Sequence, residues 1–387
     1  MQQIKLHDII VTGFALFSMF FGAGNLIFPP HLGMTSGSQW LLGFVCFVFV
    51  EVFLSCLGIF TMIYGGGSIT ALENVIGKIP GLVLNTIAII CTGVLIGTPR
   101  TAATTYEMSL APFTQSISLF TFSLIFFAIV FAFTIRPTRF VDIIGKFLTP
   151  ILIICVFVLI IVGILNPIGI IAEPISFTVA QDGIIAGYQT MDIISVSGFA
   201  IVILNTLRLK GYTDRHIQLK AVAYACCIAG ILLCTIYGGL AYLGATSSAT
   251  FSQDLNQAEL IVAITDHLLG PTGMLILGII VGFACLTTAI GLTGATAYYF
   301  EKISQGRVKY QTWVVVNLIV CTIICNFGLT TIINTAVPIL TTFCPPFMVT
   351  VLLLLFRKQI KHTIIYKAIA LVALIFGLVT TIQSYIS

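Results

Sequence analysis

The chain has 387 residues, of which 58% are hydrophobic and 8% charged. A soluble domain carries about 25% charged residues, so this composition, with a mean hydropathy of +1.13, excludes a soluble protein and indicates an all-α integral membrane one. The net charge of +4 does not indicate nucleic-acid binding, because the basic residues lie in short loops between apolar runs and form no single patch.

The first apolar segment runs from about Ile9 to Pro30, long enough to cross a bilayer as one helix. Gly22-Ala23-Gly24-Asn25 near its middle makes an uninterrupted helix unfavourable. A helix that opens in hydrocarbon leaves backbone groups without partners, which is tolerated only where they line a cavity or hold a ligand. The stretch is therefore a candidate binding site. Glycine-mediated helix packing is the alternative. No short apolar region followed by a cleavage site is present, so the segment is expected to be retained.

Hydropathy places about eleven spans, near 9–30, 39–65, 80–110, 117–135, 147–166, 185–207, 219–243, 271–299, 311–330, 333–356 and 364–384. Basic residues fall at Lys5, Lys78, Arg136, Arg139, Lys146, Arg208, Lys210, Arg215, Lys220, Lys302, Arg307, Lys309, Arg357, Lys358, Lys361 and Lys367, that is, at the N-terminus and in every second loop. Of the 17 Lys and Arg, only Arg100 lies off that side. The positive-inside rule makes that side cytoplasmic. The N-terminus is then inside and the C-terminus outside. The loop 244–270 spaces Phe251, Leu255, Leu260, Ile261, Ile264 and Leu268 among Asp254, Glu259 and Asp266. That pattern predicts a short amphipathic helix, either a lid over an outer vestibule or a plain interfacial helix.

The sixth span repeats the oddity of the first. It reads Gly187-Tyr188-Gln189-Thr190-Met191-Asp192-Ile193-Ile194-Ser195-Val196-Ser197-Gly198-Phe199. Spans one and six run in opposite directions, as two inverted five-span repeats would. Interrupted spans in corresponding places point to a transporter site. In the eighth span, Thr287 and Thr288 are adjacent. Their hydroxyls, with carbonyls, would form a neutral oxygen cage suited to Na⁺ and too poor in charge for Ca²⁺. Back-bonding to the preceding turn is the alternative.

The 11 cysteines show no disulfide framework and no C-x-x-C. They read as small apolar packing residues. Glu51, Arg100, Glu107 and Asp192 are ionisable residues in or near the membrane, where pairing or function is expected. Glu51 is expected to bond the open backbone of a broken helix, and Arg100 is a candidate partner of Glu51 or Glu107. Asp192 is a candidate counter-charge for an ammonium or carrier of a coupling proton.

Phe20-Phe21-Gly22-Ala23-Gly24-Asn25-Leu26-Ile27-Phe28-Pro29-Pro30, with Pro99-Arg100-Thr101-Ala102-Ala103 in the third span, resembles the branched-chain amino acid:cation symporters, the LIVCS family. The resemblance covers nearly the whole chain. It implies a LeuT-type five-plus-five inverted-repeat fold with broken first and sixth helices and Na⁺-coupled uptake of leucine, isoleucine and valine. The chain is then a single transporter domain over 1–387, with repeats at 9–166 and 185–356 and an additional span at 364–384. Family members usually have a twelfth span, a departure that bears on oligomer contacts more than on transport.

The resemblance also implies roles. Carbonyls of Ser18, Phe21 and Ala284 with the hydroxyls of Thr287 and Thr288 would ligate sodium. A second sodium site in some relatives uses the Asn of the first motif and a hydroxyl of span six. Asn25 matches, but Asp192 takes the hydroxyl position and span seven offers no Asn ligand. Backbone N–H groups of Ala23, Gly24 and Asn25 are candidates for the substrate carboxylate. Carbonyls near Met191 and Ile194 are candidates for its ammonium, and Tyr106, Met191, Ile194, Ser197 and Leu292 for the pocket wall. The expected partners are the amino acid, Na⁺ as coupling ion and the lipid bilayer of the plasma membrane, with no further cofactor and no nucleic acid.

Other classes fit less well. A channel would want a ring of carbonyls or charges, and no filter-like loop appears. A membrane enzyme would need clustered acids or a nucleophile with its base, and the inner loops offer only scattered Asp142, Asp214 and Glu301. A proton-coupled transporter of another small neutral amino acid is the alternative within the transporter class.

Overall fold

The structure is a computed structural model that describes residues 4–66, 71–111, 113, 116–135, 144–356 and 363–386. Arg136, Arg139, Asp142, Arg357, Lys358 and Lys361 lie outside the described residues. Among those described, the chain is helical without strands. Eight helical stretches are long and apolar enough to cross a bilayer, and shorter apolar helices cover Leu6–Phe20, Leu119–Thr134 and Tyr310–Cys325. Each segment expected from hydropathy coincides with helix.

The first span is two half-helices, α1 (Leu6–Phe20) and α2 (Ala23–Ser36). Between them Phe21 (ψ 83°) and Gly22 (φ −112°, ψ −161°) are extended. Pro29 and Pro30 lie inside α2, where each lacks a donor and strains the turn before it. The second span joins α3 (Trp40–Val48) to α4 (Ser55–Tyr64) through wider π-type turns at Phe49–Leu54, the stretch that holds Glu51. π-type turns also precede and follow the Gly97–Thr105 segment of the third span, which carries Arg100. Such turns concentrate at functional sites.

The sixth span is broken as predicted. Its first half is α5 (Val179–Gln189) and its second half α6 (Asp192–Leu209). Met191 at the join has φ 73°. A bulky residue in the left-handed region is strained, and such strain persists where the surroundings over-determine it. The seventh span is one long helix, α7 (Arg215–Ser247), packed on α1 and α2. Its closest approach to α2 is made by glycines. A Cβ on Gly33 would collide with the Ala241 carbonyl oxygen, and one on Gly244 with that of Pro30.

The predicted amphipathic helix is present. It is the first part of α8 (Gln257–Ile303), which breaks at Gly270 (φ 56°) ahead of Pro271. Asn256 and Glu259 form a capping box at its start. Leu260, Ile261 and Ile264 face inward and are buried. Glu259, Val262, Ala263 and Asp266 line a cavity of about 600 Å³ with Glu107 and Phe113. The stretch therefore lines a cavity with room for many waters, at the end away from the basic loops.

Candidate substrate and ion site

The two breaks meet at the centre of the bundle. Asn25, in the first turn of α2, is 1% exposed. Its Nδ2, with two hydrogens to share, stands 2.9 Å from Glu51 Oε1, 2.6 Å from Asp192 Oδ2 and 2.7 Å from Tyr237 Oη. The Tyr237 hydroxyl in turn donates to Glu51 Oε1 at 2.9 Å. One amide thus ties both broken helices to the second and seventh spans. Glu51 bonds side chains here rather than the open backbone that sequence reasoning assigned to it. Tyr237 was missed, because a Tyr in an apolar helix carries no signal until its neighbours are known.

Arg100 is buried but pairs with neither Glu51 nor Glu107. Nη1 donates to the Gln189 carbonyl (2.9 Å) and Nη2 to the Thr190 carbonyl (3.2 Å), the open end of α5. A cation there offsets the negative end of the half-helix dipole. Glu107 lies elsewhere, accepting from the Leu329 N–H at 3.3 Å. The freed carbonyls of the sixth span are therefore those of Gln189 and Thr190. The Met191 carbonyl expected to be free accepts from the Ser195 N–H (3.1 Å) and hydroxyl (2.8 Å).

A small cavity of about 20 Å³ lies between the breaks, lined by Gly22, Asn25, Arg100, Met191, Asp192, Thr288 and Leu292, with Phe20 and Phe199 as its aromatic walls. That is room for about one water, so the chain is in an occluded form. Of the residues expected to touch substrate, Asn25, Met191 and Leu292 border this space. Gly24 adjoins it: its Cβ position is 2.9 Å from Arg100 Nη2. Ala23 opens α2 beside the uncapped break. Ile194 faces a different small void with Leu340 and Phe347. Ser197 is buried elsewhere in α6, without a hydroxyl partner. Tyr106 turns away, its hydroxyl donating to the Ile117 carbonyl (2.9 Å) and its ring tilted on Phe122.

The expected ion ligands converge at one side of this cavity. Thr288 Oγ1 donates to the carbonyls of Ser18 (3.2 Å) and Met19 (3.3 Å). Thr287 Oγ1 donates to those of Ser18 (3.1 Å) and Ala284 (3.0 Å). Thr287 is thus partly back-bonded, whereas Thr288 reaches across to the first span. The Ser18 hydroxyl is anchored by Thr149 Oγ1 of the fifth span at 2.8 Å. Phe21, the remaining expected ligand, sits in the extended join immediately after α1.

Two discontinuous helices, an occluded central cavity and buried polar groups facing both breaks define a multi-pass membrane transporter of the LeuT-type fold. Solved structures share that fold. The chain aligns with MHP1, a nucleobase-cation-symport-1 family transporter in a closed conformation, at TM-score 0.64, 14% identity and coverage of 97% of this chain and 91% of that one. A Na⁺-coupled sialic acid symporter gives TM-score 0.64 and 12% identity over 97% of this chain and 89% of its own.

The chain belongs to the family described as branched-chain amino acid transport protein, which it matches over residues 5–387. It is 32% identical to the branched-chain amino acid permease BrnQ of Salmonella typhimurium, across 99% of this chain and 88% of that protein. It is 34% identical to BraB of Bacillus subtilis across 93% and 82%. It is 37% identical to a putative branched-chain amino acid carrier of Staphylococcus aureus across 90% and 82%. These relatives are named as permeases and carriers, and the chain is a transporter rather than an enzyme.

Proposed function

We propose that this protein is a plasma-membrane symporter that carries leucine, isoleucine and valine inward with Na⁺ by alternating access. The observation that carries the Na⁺ part is the convergence of the Thr287 and Thr288 hydroxyls on the Ser18 carbonyl oxygen. Na⁺ among these groups would take lone pairs from both hydroxyls and from the carbonyls of Ser18, Phe21 and Ala284. Five neutral oxygens suit a monovalent hard cation. The hydroxyl hydrogens, now directed inward, would turn outward. The amino-acid part rests on the names of the relatives and on the cavity between the breaks. The uncapped N–H groups of Ala23, Gly24 and Asn25 suit a carboxylate, and Asp192 suits an ammonium. Phe20, Met191, Phe199 and Leu292 would part to admit the aliphatic side chain, each buried CH₂ contributing roughly 0.8 kcal/mol. The basic loops would face the cytoplasm, the C-terminus the outside. Residues 9–166 and 185–356 would be the inverted repeats and 364–384 an addition to them.

A proton-coupled reading is favoured by the Asn25 cluster. Nδ2 makes three of its contacts and the Tyr237 hydroxyl the fourth. Glu51 Oε1 and Asp192 Oδ2 both lie within 2.9 Å of that one nitrogen, and two buried carboxylates that close together are costly to keep ionised, which favours a proton on one of them. Leucine uptake into proteoliposomes separates the readings. A Na⁺ gradient should drive accumulation with no pH gradient. Accumulation driven by a pH gradient without Na⁺ or Li⁺ would replace Na⁺ by H⁺.

A further inference from the structure

We infer that Arg100 takes the carboxylate of the amino acid, so that Arg100 and Asp192 grip the zwitterion from its two ends. This rests on the reading of the central cavity as an amino-acid site. Arg100 is 5% exposed and borders the cavity, with Asp192 on the same lining. Among the described residues it makes no ion pair and is held by two neutral carbonyls. Its Nε–H has no partner. A buried cation with an idle donor is costly unless a ligand completes it.

The geometry identifies that ligand by chemistry. Nε–H with one Nη–H forms the side-on edge of the guanidinium, which matches two carboxylate oxygens in a plane. Nη2 also stands 2.9 Å from where a Cβ of Gly24 would lie. Arg100 therefore adjoins the uncapped N–H groups of α2, and a carboxylate there would be shared between the helix end and the guanidinium. Asp192 lines the same cavity and begins α6, which opens on the other break. Charges of opposite sign on one small cavity suit a zwitterion better than an amine or an acid alone.

A purely structural Arg100, capping α5, would make a different prediction. Leucine, leucinol (no carboxylate) and 4-methylpentanoate (no ammonium) should be titrated into purified wild type, Arg100→Lys and Arg100→Gln at saturating Na⁺. Wild type should prefer leucine to leucinol by about ten- to a hundredfold, the range for hydrogen bonds to a charged group. Arg100→Lys should lose that margin for leucine and leave leucinol unchanged. Equal losses for both ligands, or full retention of leucine, would overturn the assignment. Should neither variant fold, wild type still decides: leucine and 4-methylpentanoate, but not leucinol, should protect Arg100 from phenylglyoxal, scored on the Arg100 peptide. Equal protection by leucinol overturns the clamp. A wild type that binds none of the ligands overturns the amino-acid reading itself, and the clamp with it.

Discussion

Thr288 Oγ1 lies 3.2 Å from the Ser18 carbonyl oxygen, bridging the eighth span and the last turn before the first break. A threonine in an isolated membrane helix bonds its own preceding turn. Thr288 instead spends its hydroxyl on the first span, beside a Gly22 whose Cβ position is 2.8 Å from that oxygen.

Thr288→Val keeps the shape and removes one oxygen. The apparent Na⁺ affinity should fall by more than the ~0.5–1.5 kcal/mol of an ordinary hydrogen bond, while Thr288→Ser should stay near wild type. Ion and substrate affinities are linked, so leucine should bind weakly to Thr288→Val at low Na⁺ and recover as Na⁺ rises. Leucine titrations across a Na⁺ series read this directly. Superimposable Na⁺ curves for the three proteins would return Thr288 to a packing role.

Asp192→Asn tests the acid end of the cavity. Leucine binding should weaken about tenfold or more, since a charged partner becomes neutral, and the Na⁺ dependence should stay. Glu51→Gln should spare leucine affinity more, because Glu51 meets Asn25 and Tyr237 rather than the cavity. If a proton on this pair is the driving ion, both variants should instead lose the pH dependence of uptake. Isothermal titration and pH-jump uptake distinguish the cases.

At the basic end, Asp8 accepts from Lys210 Nζ (3.1 Å) and from the Tyr212 hydroxyl (2.8 Å), tying the start of α1 to the end of α6. Asp8 stands in the first turn of α1, just ahead of the apolar run that opens at Ile9. Partial burial pushes its carboxyl up, but the Tyr212 and Lys210 bonds outweigh this and hold it below 3.8. A depressed native value means that the contribution is fully present above the unfolded value and is lost as pH falls through the native one. Asp8→Asn should therefore lower Tm at pH 7, by the same margin at pH 5.5, with the gap closing only below about pH 4. A gap that opens between pH 7 and 5.5 would contradict this assignment.

The breaks at Phe21–Gly22 and Thr190–Met191 were legible to within a few residues, from Gly22-Ala23-Gly24-Asn25 and from Asp192, because glycine, polar residues and charge have no cheap place in an apolar span. So were Thr287 and Thr288, through their adjacency. Directions around a helix axis were not. Ile194 and Tyr106 lie at plausible heights but face away, since hydropathy fixes depth and leaves azimuth to packing. The partners of Arg100 were illegible for a related reason. They are backbone carbonyls of Gln189 and Thr190, and a carbonyl leaves no mark in sequence. The wider π-type turns around Arg100 also defeat counting by ordinary helical spacing.

Gly244→Ala should be among the most damaging single-methyl changes in the chain. The new carbon would strike the Pro30 carbonyl oxygen, which belongs to backbone and cannot rotate away. Loss of folded protein is expected, whereas Gly282→Ala, whose Cβ position is open, should fold and transport normally. Fluorescence size-exclusion and a thermal melt of both variants settle the comparison. Equal stability would mean that α2 and α7 can separate at little cost.

The break at Gly270 has a mechanical meaning. Residues 257–269 along the 600 Å³ cavity and the threonines over Ser18 belong to one continuous chain segment, with a single left-handed glycine between the two parts. From Pro271 to Thr287 the segment is helical, and at 1.5 Å per residue its length is roughly 24 Å. On the proposed alternating-access reading, a small tilt at the threonine end would be magnified over that length, and Gly270 is where the segment would bend. The threonines of the proposed ion site and the stretch along the 600 Å³ cavity are thus parts of one segment, joined through Gly270.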